Sequence, residues 1–173
     1  HAVEPQAYNP AGQYARTTEE ALGFSQVQRL KRWDVAFVGR INDETRLDLL
    51  DRVFRAFPDS WWGSMRHGRV FERAADVYTQ ARVVLNHAVK RDLNMRVFEA
   101  LASRAFLVTP DVPGLRDLFE PGTHLVTYRD GDVQDAMDTI ARYLPDEAAR
   151  ERIAEAGYRE VLDKHTVAHR VAR

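Results

Sequence analysis

VVLNHAVKRDLNMRVFEALASRAFLVT, residues 83–109, reads as an apolar strand (83–88), a polar loop, a helix opening at Asn94 and a second apolar strand (106–109). Parallel strands need a crossover to join them, so a strand, a helix and a second strand are the unit of a parallel sheet. At about 100° per residue, the helix 95–105 gathers Met95, Val97, Phe98, Leu101, Ala102 and Ala105 on one arc, with Arg96, Ser103 and Arg104 opposite. Glu99 falls just outside that arc, beside Met95. A carboxylate at the border of a core face is half buried and fixed, which suits accepting hydrogen bonds from a pair of hydroxyls. The same position also suits a solvated glutamate pairing with Arg96 or Ser103.

The loop before this helix is rich in cations. Asn94 is a good N-cap, and helices of such sheets start at the carboxyl edge of the strands, so the N–H groups of Met95, Arg96 and Val97 are expected in the ligand crevice. They favour an anion. His87, Lys90 and Arg91 add positive charge just before them, and Arg40, directly after Gly39, reaches the same edge from a neighbouring loop. This convergence points to a phosphate or diphosphate site; the alternative is ordinary surface charge on polar loops.

Outward from this stretch, DVAFVG (34–39) is a buried strand entering a turn. DETRLDLLDRVFRAF (43–57) follows as a helix with acidic residues at its positive end. SWWGSMRHGRVF is expected to hold one or two short strands around Gly63 and Gly68, before a helix over 73–81. Beyond residue 109 come a short helical turn at GLRDLF, a strand at HLVTY, helices over 132–143 and 146–164, and a closing helix in HTVAHRVAR. Residues 1–33 read as a linker with Tyr8, Tyr14 and Phe24 as anchors and a helix over 19–31. The expected class is therefore α/β, a Rossmann-like parallel sheet covered on both faces. Its organisation is 1–33 as linker and packing segment, 34–145 as the sheet domain and 146–173 as helices packing on it.

Composition excludes several classes. In the chain of 173 residues, 45% are hydrophobic, enough for a substantial core. The 25 basic and 26 acidic residues nearly cancel, giving a formal charge of -1, and the interspersed signs create no field for nucleic acid or an anionic membrane. No cysteine is present, so disulfides and thiolate chemistry are ruled out, which fits a reducing, cytoplasmic setting. No apolar run approaches the roughly 18 residues of a membrane span, and HAVEPQAYNP has no signal-peptide character. A chain starting at His1 is expected to be a piece of a longer polypeptide.

Other motifs are weaker. GxGxxG, GxxxxGK[ST] and GxSxG are absent. His165 and His169 form an i, i+4 pair without the glutamate of HExxH, so His165 is expected to cap or pack the last helix rather than bind metal. Trp61 and Trp62 could stack on a base or sugar, but neighbours in a strand point to opposite faces, which puts one in the core.

Three segments carry a family likeness: DVAFVGR, VVLNHAVKRDLNMRVFEALASRAFLVTPDVPGLRDLFEPGTHLVTYRD and RIAEAGYREVLDKHTVAHRV. Together they resemble the C-terminal half of GT-B glycosyltransferases of the CgeB-like (spore maturation protein) group, from about Asp34 to the last helix. AVEPQAYNP looks like the linker before that half. The resemblance implies a nucleotide-sugar-binding domain with a UDP- or GDP-sugar as donor, no tightly bound cofactor and no metal. It places Glu99 on the ribose hydroxyls, the helix start from Asn94 to Val97 on the diphosphate, and Arg40 with Gly39 at the phosphates. It also implies a partner, an N-terminal Rossmann-like half that supplies the acceptor site. Two departures stand out. Where many retaining members carry a second glutamate eight residues before the first, this chain has Arg91 beside Asp92. The lysine that often accompanies the phosphate-binding arginine has no clear match, with Lys90 or Arg46 as substitutes. Two readings without sugar transfer remain: a non-catalytic nucleotide-binding or protein-interaction module, and a phosphoacceptor domain, for which the acidic pair and the lysine are not in the expected places.

Overall fold

The structure, a computed structural model, describes residues 31–41, 43–63 and 70–165, with the side chains of residues 70–73 set aside. The expected anchors Tyr8, Tyr14 and Phe24, nearly all of the 19–31 helix, a strand at Gly68, and the closing helix with His169 lie outside the described residues.

Five strands and five helices alternate among the described residues: β1 (Trp33–Val38), α1 (Glu44–Ala56), β2 (Ser60–Gly63), α2 (Val70–Gln80), β3 (Ala81–Leu85), α3 (Met95–Ala102), β4 (Leu107–Pro110), β5 (Val126–Tyr128), α4 (Val133–Tyr143) and α5 (Glu147–Lys164). The strands form one parallel sheet in the order β2-β1-β3-β4-β5. The α/β class with a Rossmann-like parallel sheet is the observed architecture.

The strand order reverses once, between β1 and β3. Crossovers in parallel sheets are right-handed, so reversing the winding direction moves the connecting helix to the other face. Accordingly Leu49, Leu50 and Val53 of α1 share one core with Ala136 and Ile140 of α4. Tyr78 of α2 and Val97, Phe98 and Leu101 of α3 belong to a second core on the opposite face. Helix α5 serves both, giving Ile153 and Ala154 to the first and Val161 to the second. With both faces covered, β1 is buried from Val35 to Val38 and β4 throughout, which is why these strands read as unbroken apolar runs.

Several boundaries differ from expectation for local reasons. Strand β3 stops at Leu85, because Asn86 turns its side chain into a hydrogen-bond cluster. Helix α3 ends at Ala102 rather than 105: the Ser103 N–H doubles back to the Glu99 and Ala100 carbonyls, and Arg104 takes φ 50°. Ser103 and Arg104 do not form a solvent face. Ser103 is buried with its hydroxyl on the Glu99 carbonyl at 2.9 Å, and the Arg104 guanidinium lies 4.0 Å over the Tyr158 ring, because α5 packs across that side. That packing is close: at Gly157 a Cβ would overlap the His124 carbonyl oxygen and sit 2.8 Å from Leu101 Cδ2. GLRDLF forms the short turn expected of it, the Phe119 N–H closing one helical turn on the Leu115 carbonyl at 2.9 Å, and goes no further.

The isolated features settle simply. Trp61 joins the core and touches Trp33 at 6.1 Å, while Trp62 is 52% exposed and stacks on Phe54. His165 caps α5, its ring packed between Phe98 and Phe119. No described helix is long and apolar enough to cross a membrane.

Candidate functional site

A reversal of strand order opens a crevice outside the carboxyl ends of the two strands that flank it, where the connections diverge to opposite faces. In this chain those strands are β1, followed by Gly39 and Arg40, and β3, followed by the loop 86–94 and α3. The topology therefore brings Gly39, Arg40, His87, Lys90, Arg91 and the α3 start to one rim.

Asn86 organises this rim. It is 1% exposed; its Nδ2 donates to Thr109 Oγ1 at 3.0 Å, and its Oδ1 accepts from Arg96 Nη1 at 2.7 Å and Asn94 Nδ2 at 3.4 Å. Its carbonyl accepts from the buried Tyr128 hydroxyl at 2.9 Å. Sequence reasoning passed over both residues. The available signal was a polar residue closing the apolar run VVL, at the edge where ligands bind.

His87 does not add the positive charge expected of it. It is 7% exposed, with Nε2 3.3 Å from Thr45 Oγ1, and burial together with the nearby Arg46 guanidinium lowers its pKa, so the ring is neutral at pH 7. It lines a cavity of about 360 Å³ together with Thr45, Asp48 and Tyr128, between the starts of α1 and α4. Arg46 is also buried and turned away from any phosphate role: Nη1 donates to the Arg40 carbonyl at 2.5 Å and Nη2 to the His87 carbonyl at 3.2 Å. It ties the β1 and β3 loops together. The Arg40 side chain stays exposed.

Arg96, placed opposite the core by its helical angle, folds back over the sheet edge. Its guanidinium stands 5.2 Å over the Phe37 ring while bonding Asn86. Gly39 makes this possible, since a Cβ there would lie 2.7 Å from Arg96 Nη2. The helix start differs in two ways from expectation. Asn94 occupies the N-cap position, but its side chain makes no capping bond and is drawn to Asn86. The Val97 N–H donates to the Asn94 carbonyl at 3.2 Å, so the groups left without a backbone partner among the described residues are those of Met95 and Arg96.

Glu99 is half-buried, and burial raises its pKa while Arg96 opposes the shift. Its carboxylate has no hydrogen bond or ion pair among the described residues. Neither Arg96 nor Ser103 pairs with the carboxylate: Ser103 bonds the Glu99 backbone, and Arg96 is held by Asn86.

Lys90 is exposed in the loop. Arg91 takes φ 52°, in the left-handed region, and its Nε is bonded to Asp130 on the loop after β5. Its charge is thus matched within the chain. Among the described residues no three His, Asp or Glu side chains cluster as a metal site.

The arrangement offers free N–H donors and exposed cations on one side of α3 and an unpaired carboxylate one turn further along. It can meet an anion and a polyhydroxylated group together.

A family model described as glycosyl transferase-like matches residues 16–173. No curated protein matches the sequence. Among solved structures, the chain is similar to the C-terminal domain of a group 1 glycosyl transferase family protein (LpcC) from Francisella tularensis. The identity is 13% and the TM-score 0.64, with 81% of this chain and 93% of that one covered. It is similar also to Anabaena Alr3699/HepE in complex with UDP and glucose, at 12% identity and TM-score 0.66, over 96% of this chain and 54% of that one. Sucrose-phosphate synthase from Thermosynechococcus elongatus follows at 17% identity and TM-score 0.61, covering 96% and 42%. The chain thus spans about half the length of HepE and less of the synthase.

Proposed function

The chain belongs to the glycosyl transferase-like family, and on that premise we propose that its crevice holds the nucleoside diphosphate part of a sugar donor. The observation that carries this reading is the unpaired, half-buried Glu99 carboxylate beside the free N–H groups of Met95 and Arg96. Glu99 accepts hydrogen bonds from the two ribose hydroxyls. The α3 start, with Arg40 and Lys90, meets the diphosphate, and Gly39 and His87 shape the floor. Arg91 reaches the phosphates only by exchanging Asp130 for the ligand. Val97 and Asn94 hold the turn. A neighbour crystallised with UDP and with UDP-glucose supports a nucleotide sugar as the donor class.

In the reaction, an acceptor hydroxyl oxygen attacks the anomeric carbon, and the bond from that carbon to the diphosphate oxygen breaks. The nucleoside diphosphate leaves with the electron pair, and the hydroxyl proton passes to a base supplied with the acceptor. Arg40, Lys90 and the helix start stabilise the charge growing on the leaving diphosphate. The acceptor site belongs to an N-terminal Rossmann-like half, joined through residues 1–33 to a donor unit in which 146–173 pack on 34–145. We assign the protein to the CgeB-like group on the motifs quoted above, and to a reducing, cytoplasmic setting on its cysteine-free composition.

Calorimetric titration with UDP, GDP and ADP tests the reading. One of the three is expected to bind, with affinity weakened by Arg40→Ala. No binding by this chain or by a longer parent would overturn it.

A further inference from the structure

The Arg96 guanidinium is held only by neutral groups. Its Nη1 donates to Asn86 Oδ1 at 2.7 Å and to the His87 carbonyl at 3.4 Å, and its plane of charge lies 5.2 Å from the centre of the Phe37 ring. Arg46 comes to the same places from α1, with Nη2 on the His87 carbonyl at 3.2 Å and its guanidinium 5.5 Å from the Phe37 ring centre. Two cations thus converge, and no carboxylate forms an ion pair with either among the described residues. The Asp43 side chain is spent on capping α1, and Glu99 leaves its neighbour Arg96 unpaired. The two charges act on each other: burial first, then Arg96, lowers the Arg46 pKa. Like charges gathered in a partly desolvated place destabilise the ligand-free chain. A neutral donor would tie α3 to Asn86 equally well, so the tie alone gives no reason for a second charge. An anion resolves the conflict.

The two arginines differ in what they can offer it. Arg46 is buried with both terminal nitrogens on carbonyls. Arg96 is half-buried, and its Nη2 has no hydrogen bond among the described residues and is open to solvent. That nitrogen stands over the turn after β1, where a Cβ on Gly39 would come within 2.7 Å of it. Arg40 and the free N–H groups of the α3 start share this rim. Asn86 and Phe37 fix the guanidinium before a ligand arrives, so little side-chain freedom is lost on binding.

We propose that the Arg96 side chain is a phosphate-binding group of the crevice, its free Nη2 donating to the ligand, with Asn86 as the residue that positions it. That the phosphate belongs to a nucleoside diphosphate rests on the proposed function. That Arg96 binds a phosphate group does not.

The test titrates the 173-residue chain with UDP and with inorganic pyrophosphate by calorimetry, comparing wild type with Arg96→Met, which keeps an apolar stem against Phe37. Both ligands are expected to weaken roughly 10- to 150-fold, the worth of one charge-assisted hydrogen bond. Salt separates a contact from a structural role. Raising NaCl from about 50 to about 500 mM screens charged contacts, so wild-type affinity is expected to fall more steeply than that of the variant. Affinities within about threefold of wild type, or equal salt slopes, overturn the proposal. If UDP binds both proteins alike, Arg96 is excluded and the donor reading stands. If only pyrophosphate binds, and binds through Arg96, the donor reading fails and the Arg96 contact stands; if neither ligand binds wild type, both fall. Should Arg96→Met not fold, NMR of the wild-type Arg96 Nε–H decides: pyrophosphate is expected to shift it, and an unmoved resonance overturns the proposal.

Discussion

Glu99→Gln is expected to move two observables in opposite directions. In the ligand-free chain the carboxylate is partly desolvated and unpaired, and burial raises its pKa. An unpaired buried polar group costs about 1–3 kcal/mol. Partial exposure puts Glu99 at the low end, so the amide is expected to stabilise by about 1 kcal/mol, or roughly 2–4 °C in Tm for a chain of this size. The sign with pH follows from linkage. A carboxyl whose folded pKa exceeds its unfolded value of about 4.3 binds more protons when folded. Its stabilising contribution is present below that value and is lost as pH rises through the folded pKa. The advantage of Glu99→Gln therefore grows across this window and persists at neutral pH. Binding goes the other way. An ionised acceptor of two hydroxyls is charge-assisted, and its loss of about 2–3 kcal/mol weakens UDP by roughly 30- to 150-fold. Differential scanning fluorimetry between pH 4 and 8, paired with calorimetric titration of UDP, reads both arms. A variant that binds UDP within about threefold of wild type, a margin under ~0.7 kcal/mol, or that melts lower than wild type at pH 7, would refute the reasoning.

The remaining predictions concern the supports of the site. Gly39→Ala puts a Cβ 2.7 Å from Arg96 Nη2 and 2.9 Å from Phe37 Cζ. It is expected to cost about 1–3 kcal/mol in urea unfolding and to weaken UDP, because Arg96 must leave the edge. Gly157→Ala meets a backbone carbonyl that cannot swing aside. It is expected to cost at least as much, about 3 kcal/mol, while the protein that remains folded keeps its UDP affinity. Tyr128→Phe removes the hydroxyl bonded to the Asn86 carbonyl and is expected to lower stability by about 1–2 kcal/mol, measured by the same unfolding curves. Lys31 donates to the Thr79 and Ala81 carbonyls, and burial, with Arg150 adding, lowers its pKa to about 8. Folded chain thus binds fewer protons between pH 8 and 10.5, so stability contributed by this group rises with pH across that window. Lys31→Met is expected to flatten that rise in thermal melts.

The sequence by itself determined the sheet. Apolar runs such as VAFV and VVL, alternating with helical periods and ending in Gly39 or a polar loop, leave little choice but parallel strands covered on both faces. It also put Glu99 at the border of the α3 core, a position that depends only on helical angle. What only tertiary structure decided was the electrostatic state of the rim. Arg96 is distant from the core by angle, yet Gly39 and Phe37 on β1 and Asn86 after β3 draw it across the edge. His87 read as a loop cation and Arg46 as a substitute for a phosphate-binding lysine, yet one is buried and neutral and the other is spent on two carbonyls. Arg91 finds Asp130 across 39 residues of sequence. Periodicity records which face a residue occupies on its own element. Charge, burial and pairing depend on which loops the order β2-β1-β3-β4-β5 brings to one edge, and that order arises from packing between elements far apart in the chain.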